Sequence, residues 1–424
     1  MALALLILYL SQYGSDIRTA RALAPGLSWT RIPIMRSLAV FVALVFVPPL
    51  FVLWVGNWVL MPEWPWLWVA SVVVSGLISY TWYRYLAWLD VHEPEQRWVM
   101  LLVFLFAVVL TYFVPDLYRA VERATAWDIN GEFLNDLLYS VVVIGGLEES
   151  AKLIPYLVLL LFTKRINEPY DHLLYLSLSA LGFAFVENMH YLHRSDLFAV
   201  TGRALYASVA HMCFSSFIGY GVARALPKGR GHAIVVGMLM FLVACAAHGL
   251  YDVWLVAPGR PTFLTTIFFL GTIQIWVIMK NNLINTSPFA EPHRKLRSTM
   301  FRYRIVNAML AIFMLAFMVI HLMKGSSVAW DFYGGQWVRM LVMLLILAIS
   351  FGSYQVVPGY VARLGVSPNP IRWFLPIGGS GEDLSGTRIR VDIPERSWKK
   401  IDLPELRRAL PVMGVPGAAR GTGR

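Results

Sequence analysis

Apolar residues in this chain neither alternate with polar ones nor form a narrow stripe. They fill long runs separated by short polar connections. A helix rising about 1.5 Å per residue needs about 20 residues to cross roughly 30 Å of hydrocarbon. Runs of that length recur from Leu38 to Val357 and predict about ten spans, at 38–60, 66–89, 98–115, 136–162, 173–192, 204–226, 233–257, 262–284, 305–323 and 337–357. Strands are not expected, since the runs lack the alternation of about ten residues that marks a membrane barrel, and backbone in lipid must be satisfied within a helix or a closed barrel. The predicted fold class is all-α, a polytopic transmembrane helix bundle with a basic cytoplasmic C-terminal tail.

Composition agrees: 58% of residues are hydrophobic and 14% charged, against roughly 25% charged in a soluble domain. The net charge of +11 changes the picture only through its placement. About 28 of the 36 Lys and Arg fall on one side of the alternating loops and about 6 on the other. That bias predicts cytoplasmic termini in a cell membrane and makes nucleic acid an unexpected partner. Trp54, Trp58, Trp64, Trp66 and Trp68 crowd the first outer loop as an interfacial belt. The opening MALALLILYL has no basic residue before it, so no signal peptide is read there. Cys213 and Cys245 lie in apolar runs and read as small buried residues.

Five regions follow: a cytoplasmic segment over 1–37, accessory helices over 38–135, a four-helix core over 136–257, further helices over 258–357, and a basic tail over 358–424 with Lys399, Lys400, Arg407 and Arg408. The tail, rich in Pro, Gly and basic residues, is expected to be partly disordered and drawn to anionic lipid.

Ionisable side chains within spans are costly and mark function. They gather in the four-helix core as Glu148, Glu149, Lys152, Glu187, His211, His248 and Asp252. Counted from the outer ends, Glu187, His211 and His248, with Glu148 and Glu149 about a turn deeper, share the outer half of the membrane. In GGLEESAKLIPYL, Glu148 and Lys152 stand four residues apart on one helix face, with Glu149 turned about 100° away. This spacing predicts that Lys152 pairs with Glu148 and leaves Glu149 freer to exchange a proton. The plain alternative is a buried ion pair that fixes helix register.

In GFAFVENMHYL, Glu187 lacks a basic residue within a turn and needs a partner from another helix or a metal, while His190 falls near the interface. His211 shares a face with Ser215, and AAHGLYDVW places His248 and Asp252 one turn apart, where the carboxylate can orient the imidazole.

These motifs together, EExxK at Glu148, Glu149 and Lys152, FxxxEN at Phe183, Glu187 and Asn188, the helix bearing His211, and HxxxD at His248 and Asp252, resemble the PrsW family of bacterial intramembrane proteases. That family is distantly similar to the CAAX prenyl endopeptidases and Abi proteins. The resemblance spans about residues 136–257 and implies cleavage of membrane-anchored proteins near the outer face, as in regulated destruction of an anti-sigma factor. It implies a base at Glu148 or Glu149, here expected to be Glu149. It leaves two options for His211, His248 and Glu187: ligands to a divalent metal such as Zn²⁺, or hydrogen-bond donors in a metal-free glutamate mechanism. Two rival classes stand beside the protease, a proton-coupled transporter and an inactive membrane scaffold. The charges are confined to four consecutive spans without matched broken helices in two halves, which disfavours the transporter.

Overall fold

The computed structural model describes residues 2–23, 28, 32–256, 261–289, 299–352, 359–362 and 388–390. In chain order the helices are α1 (Ala2–Leu23), α2 (Pro33–Val55), α3 (Glu63–Leu89), α4 (Arg97–Thr111), α5 (Val114–Thr125), α6 (Phe133–Tyr139), α7 (Gly146–Phe162), α8 (Pro169–Arg194), α9 (Val200–Gly202), α10 (Ser208–Ala225), α11 (Arg230–Val256), α12 (Phe263–Asn285), α13 (Thr299–Lys324) and α14 (Ser326–Phe351). Two π-helical stretches, Ser140–Gly145 and Arg203–Ala207, join α6 to α7 and α9 to α10.

Seven helices are long and apolar enough to cross a membrane by length and composition: Pro33–Val55, Pro65–Leu89, Arg97–Thr125, Arg230–Val256, Phe263–Asn285, Met300–Lys324 and Ser326–Phe351. The protein is a multi-pass membrane protein. The other three expected spans are also helical: α8 and α10 are largely buried, and α7 buries the face that carries Glu148, Glu149 and Lys152. The outer helices turn Phe46, Leu50, Leu53, Leu101, Leu102 and Leu242 outward, as expected of surfaces whose solvent is lipid.

Several boundaries differ from the sequence pattern. Residues 1–37, expected as a cytoplasmic segment, contain α1, which packs on α2 and α14. Tyr13 stacks on Tyr303 with ring centroids 3.8 Å apart and meets Ser37 Oγ at 3.2 Å. The aromatic face Tyr9/Tyr13 drives this docking; the helix has too little uniform apolarity to read as a span. The third span continues past Thr111 into α5. Trp66 and Trp68 open α3, and Trp68 stacks on His193 at 3.9 Å, so part of the expected belt is packing. Strands, not expected at all, occur as a three-residue pairing of β1 (Tyr360–Ala362) with β2 (Arg388–Arg390). Almost all of the tail over 358–424, including Lys399, Lys400, Arg407 and Arg408, lies outside the described residues.

The axle of the bundle is α8, buried continuously from Pro169 to Ala184 and packed against α3, α4, α7, α10 and α12. Its start is locally encoded. Pro169 occupies the first turn, where a missing N–H is harmless, and Glu168 and Asp171 form a capping box in which Asp171 Oδ2 accepts the Glu168 N–H at 2.8 Å. Close helix approach depends on glycine at two places flanking the site. A Cβ on Gly249 of α11 would lie 2.5 Å from Val141 Cα, and one on Gly145 would lie 2.6 Å from the Cys245 carbonyl oxygen. With small residues at the contact, α11 rests against the π-helical turn before α7.

Candidate active site

The two π-helical stretches lie immediately before Glu148/Glu149 and His211, respectively. A π turn inserts a residue without breaking the hydrogen-bonded ladder, so it re-aims the face that follows; such turns recur at functional sites. Here the faces of α7, α8, α10 and α11 converge.

Lys152 is fully buried at the centre. Its Nζ stands 2.9 Å from Glu149 Oε1, 3.3 Å from Glu148 Oε2, 2.9 Å from His211 Nδ1 and 3.4 Å from His248 Nδ1. The Phe183 ring lies beneath it at 4.4 Å. One ammonium therefore links both carboxylates to both imidazoles, and removing it would strand buried charge.

The two carboxylates have different surroundings. Glu149 is wholly enclosed, with Oε1 2.8 Å from His248 Nδ1 and Oε2 accepting the Ser215 hydroxyl at 2.6 Å. Glu148 accepts the Tyr118 hydroxyl at 2.8 Å and lies 3.3 Å from His248 Nε2. It lines a cavity of about 900 Å³ together with Glu187, His211, His248, Asp252 and Tyr118. Glu149 and Lys152 lie behind that wall. The expected pairing is thus reversed: Glu149 is the better-held carboxylate and Glu148 the one facing space. Both i,i+3 and i,i+4 neighbours reach one lysine, and the sequence spacing alone could not rank them.

Carboxylates orient both histidines. Glu187 Oε2 accepts from His211 Nε2 at 2.9 Å and from Arg203 Nη2 at 2.8 Å. With Nε2 donating to Glu187, His211 Nδ1 is free to accept from Lys152. Asp252 Oδ2 lies 3.3 Å from His248 Nε2. Arg203 Nε also donates to Asn188 Oδ1 at 2.6 Å, so the Glu187-Asn188 pair holds one guanidinium as a unit.

All seven residues expected from the sequence are within this network. His190 is apart from it, edge-on to Trp68 with ring centroids 5.8 Å apart. Tyr118, Arg203 and the role of Ser215 were not anticipated. Arg203 was legible as the one cation preceding His211 by two turns in GRALYASVAH. Tyr118 is on α5, 30 residues from Glu148, and nothing local to the motifs signals it.

Residue type fits a divalent cation at one point. Ligand atoms of Glu148, His211 and His248 lie within 4.8 Å of one another, two imidazoles and a carboxylate that leave a position open to the cavity. The carboxylate in this group is Glu148; the expected Glu187 instead braces His211 from behind, as outer carboxylates do for ligating histidines. These buried groups could hold a metal, with Lys152 sharing the same donors.

Ionisable side chains buried among apolar helices open here on one cavity, and the comparisons with known proteins support an intramembrane protease. Residues 95–279 match the PrsW family intramembrane metalloprotease. The chain is 28% identical over 207 residues to Protease PrsW of Geobacillus kaustophilus, covering 48% of this chain and 86% of that protein. It is 26% identical over 214 residues to Protease PrsW of Shouchella clausii, covering 50% and 94%. No solved structure matches the chain.

Proposed function

We propose that this protease hydrolyses peptide bonds of membrane-anchored proteins near the outer face of the cell membrane, with Glu148 as general base. The observation that carries the reading is the division of labour between adjacent carboxylates, Glu149 enclosed by Lys152, His248 and Ser215, and Glu148 at the cavity wall.

Peptide hydrolysis needs an activated water, stabilisation of the oxyanion and a proton for the leaving amine. In this reading Glu148 takes a proton from water as its oxygen bonds to the scissile carbonyl carbon. His248, on the same cavity wall, donates a hydrogen bond to the oxyanion, while the Tyr118 hydroxyl orients Glu148. Glu148 returns the proton to the amide nitrogen as the C–N bond breaks, leaving a free amine and a carboxylic acid. Glu149, Asp252 and Glu187 act behind them, holding the imidazoles in place. In the metal-dependent alternative, Glu148, His211 and His248 would instead hold a divalent ion supplying Lewis-acid polarisation of the carbonyl, and Glu148 would then be a ligand rather than the base.

The Lys/Arg distribution supports cytoplasmic termini and a site toward the outer leaflet. An anti-sigma factor is one candidate substrate class, through the family resemblance alone. Regions 38–135, 258–357 and 358–424, which flank the core, are assigned to substrate selection or regulation. A transporter reading lacks support from a second half with matched broken helices.

The test compares membrane proteomes of cells carrying wild-type or Glu148→Gln protein at equal abundance. We expect new N-termini beside transmembrane segments only with wild type. Identical fragment sets would refute the reading.

A further inference from the structure

A second group of acids lies at the opposite end of α8. Asp171 and Glu187 are sixteen residues apart on this helix, about 24 Å by helical rise. Five carboxylates meet there: Asp90, Glu93 and Glu95 from the α3–α4 connection, and Glu168 and Asp171 from the start of α8. Oxygens of Asp90, Glu168 and Asp171 lie within 4.8 Å of one another, as do those of Glu93, Glu95 and Asp171, with Asp171 common to both sets.

Acidic residues alone would not make a site, but here the acceptors lack donors. Asp90 Oδ1, Asp171 Oδ1 and Asn167 Oδ1 are buried and receive no hydrogen bond, while Asn167 faces Glu93. Asp90 and Asp171 are over nine-tenths buried. Tyr175, fully buried, turns its hydroxyl toward Glu95 beside Asp171 and Asp90. Among the described residues no Lys or Arg forms an ion pair with any of the five acids. Arg165 acts on Glu93 and Glu95 only through its field. Burial pushes the Asp90 carboxyl up to about 7 and that of Glu168 up to about 8, as expected where negative charge has no counter-ion.

We infer that Asp90, Glu93, Glu95, Glu168 and Asp171 form a binding site for a hard divalent cation of the Ca²⁺ or Mg²⁺ kind, separate from the protease centre. The chemistry selects the ion. All donors are oxygens, carboxylate and amide carbonyl, without nitrogen or sulfur, which suits hard alkaline-earth ions over zinc. The other oxygens of these acids already fix the site's shape: Asp90 Oδ2 accepts the Glu95 N–H at 2.6 Å, and Asp171 Oδ2 those of Asn167 at 2.9 Å and Glu168 at 2.8 Å. Glu168 Oε2 also accepts the Ser287 hydroxyl at 2.8 Å. A bound ion therefore ties the α3–α4 connection to the α7–α8 connection and, through Ser287, to the end of α12. It anchors the axle helix at the end remote from Glu187.

The test uses full-length protein in detergent, with Tb³⁺ luminescence excited through nearby tyrosine and competition by Ca²⁺, Mg²⁺ and Zn²⁺. We expect one saturable Tb³⁺ site per chain that Ca²⁺ or Mg²⁺ displaces, at least tenfold weaker in Asp90→Asn and in Glu168→Gln, and unchanged in Glu148→Gln. Both loop substitutions retain side-chain acceptors, and a thermal scan verifies that the variants fold. In the same scan, Ca²⁺ or Mg²⁺ should raise the melting temperature of wild type but not of Glu168→Gln. Absence of saturable binding would overturn the inference, as would binding indifferent to Asp90→Asn and Glu168→Gln, or displacement by Zn²⁺ alone.

Discussion

Ser215 donates its hydroxyl to Glu149 Oε2 at 2.6 Å, so a serine on α10 holds a carboxylate on α7 in place. The contact lies behind the cavity wall, which separates support from chemistry. Ser215→Ala should cost about 1.5–3 kcal/mol, the usual worth of a hydrogen bond to a charged group. Thermal unfolding in detergent should show a lower midpoint, with cleavage reduced mainly in proportion to the folded fraction. A variant with unchanged midpoint but no activity would place Ser215 in the reaction itself.

Lys152 is expected to be structural and electrostatic. Lys152→Met leaves two buried carboxylates without their cation and should destabilise the protein by about 3–5 kcal/mol. The same change removes a positive charge 2.9 Å from His211 Nδ1. Any folded Lys152→Met protein should bind Zn²⁺ at least tenfold more tightly, measured by chelator competition. Zinc affinity that is unchanged or weaker would mean that Lys152 does not compete for Glu148, His211 and His248.

Gly249 precedes no turn and needs no special dihedral; what it provides is space. A Cβ there would sit 2.5 Å from backbone atoms of Val141, and neither helix can yield without shifting His248. Gly249→Ala should cost at least about 1–3 kcal/mol through overpacking and should also lower cleavage by the folded protein. Thermal unfolding and turnover, measured together, check both.

The membrane orientation rests on basic residues in loops. Reporter fusions at Gly131 should be extracytoplasmic and those at Lys228 cytoplasmic. The reverse pattern would move the site to the other leaflet.

How much of this was legible in sequence follows from which interactions are local. Apolar run length located the helices, because lipid imposes one length scale on every span. The motif residues were legible because a charge in an apolar run is costly enough to be informative. The ranking of Glu148 and Glu149 was not, since it depends on Ser215 and His248 arriving from other helices and on the π turn that re-aims α7. Likewise α1 docks through Tyr9 and Tyr13 against Tyr303, a tertiary match with no run-length signature. The acids at Asp90–Glu95 and Glu168–Asp171 lie in connections between helices, where carboxylates are ordinary, and only the fold brings them together.

The central claim is that Glu148 carries the proton. The direct measurement is cleavage of a membrane-anchored substrate, taken from the proteome comparison, by purified protein in lipid, with wild type, Glu148→Gln and Glu149→Gln matched for folded fraction. We expect Glu148→Gln to retain the wild-type melting midpoint within a few degrees while losing about 10²-fold to 10⁴-fold in rate, and Glu149→Gln to lose stability as well as rate. Glu148→Gln protein cleaving at the wild-type rate, with folded Glu149→Gln protein inactive, would contradict the account and return the base to Glu149.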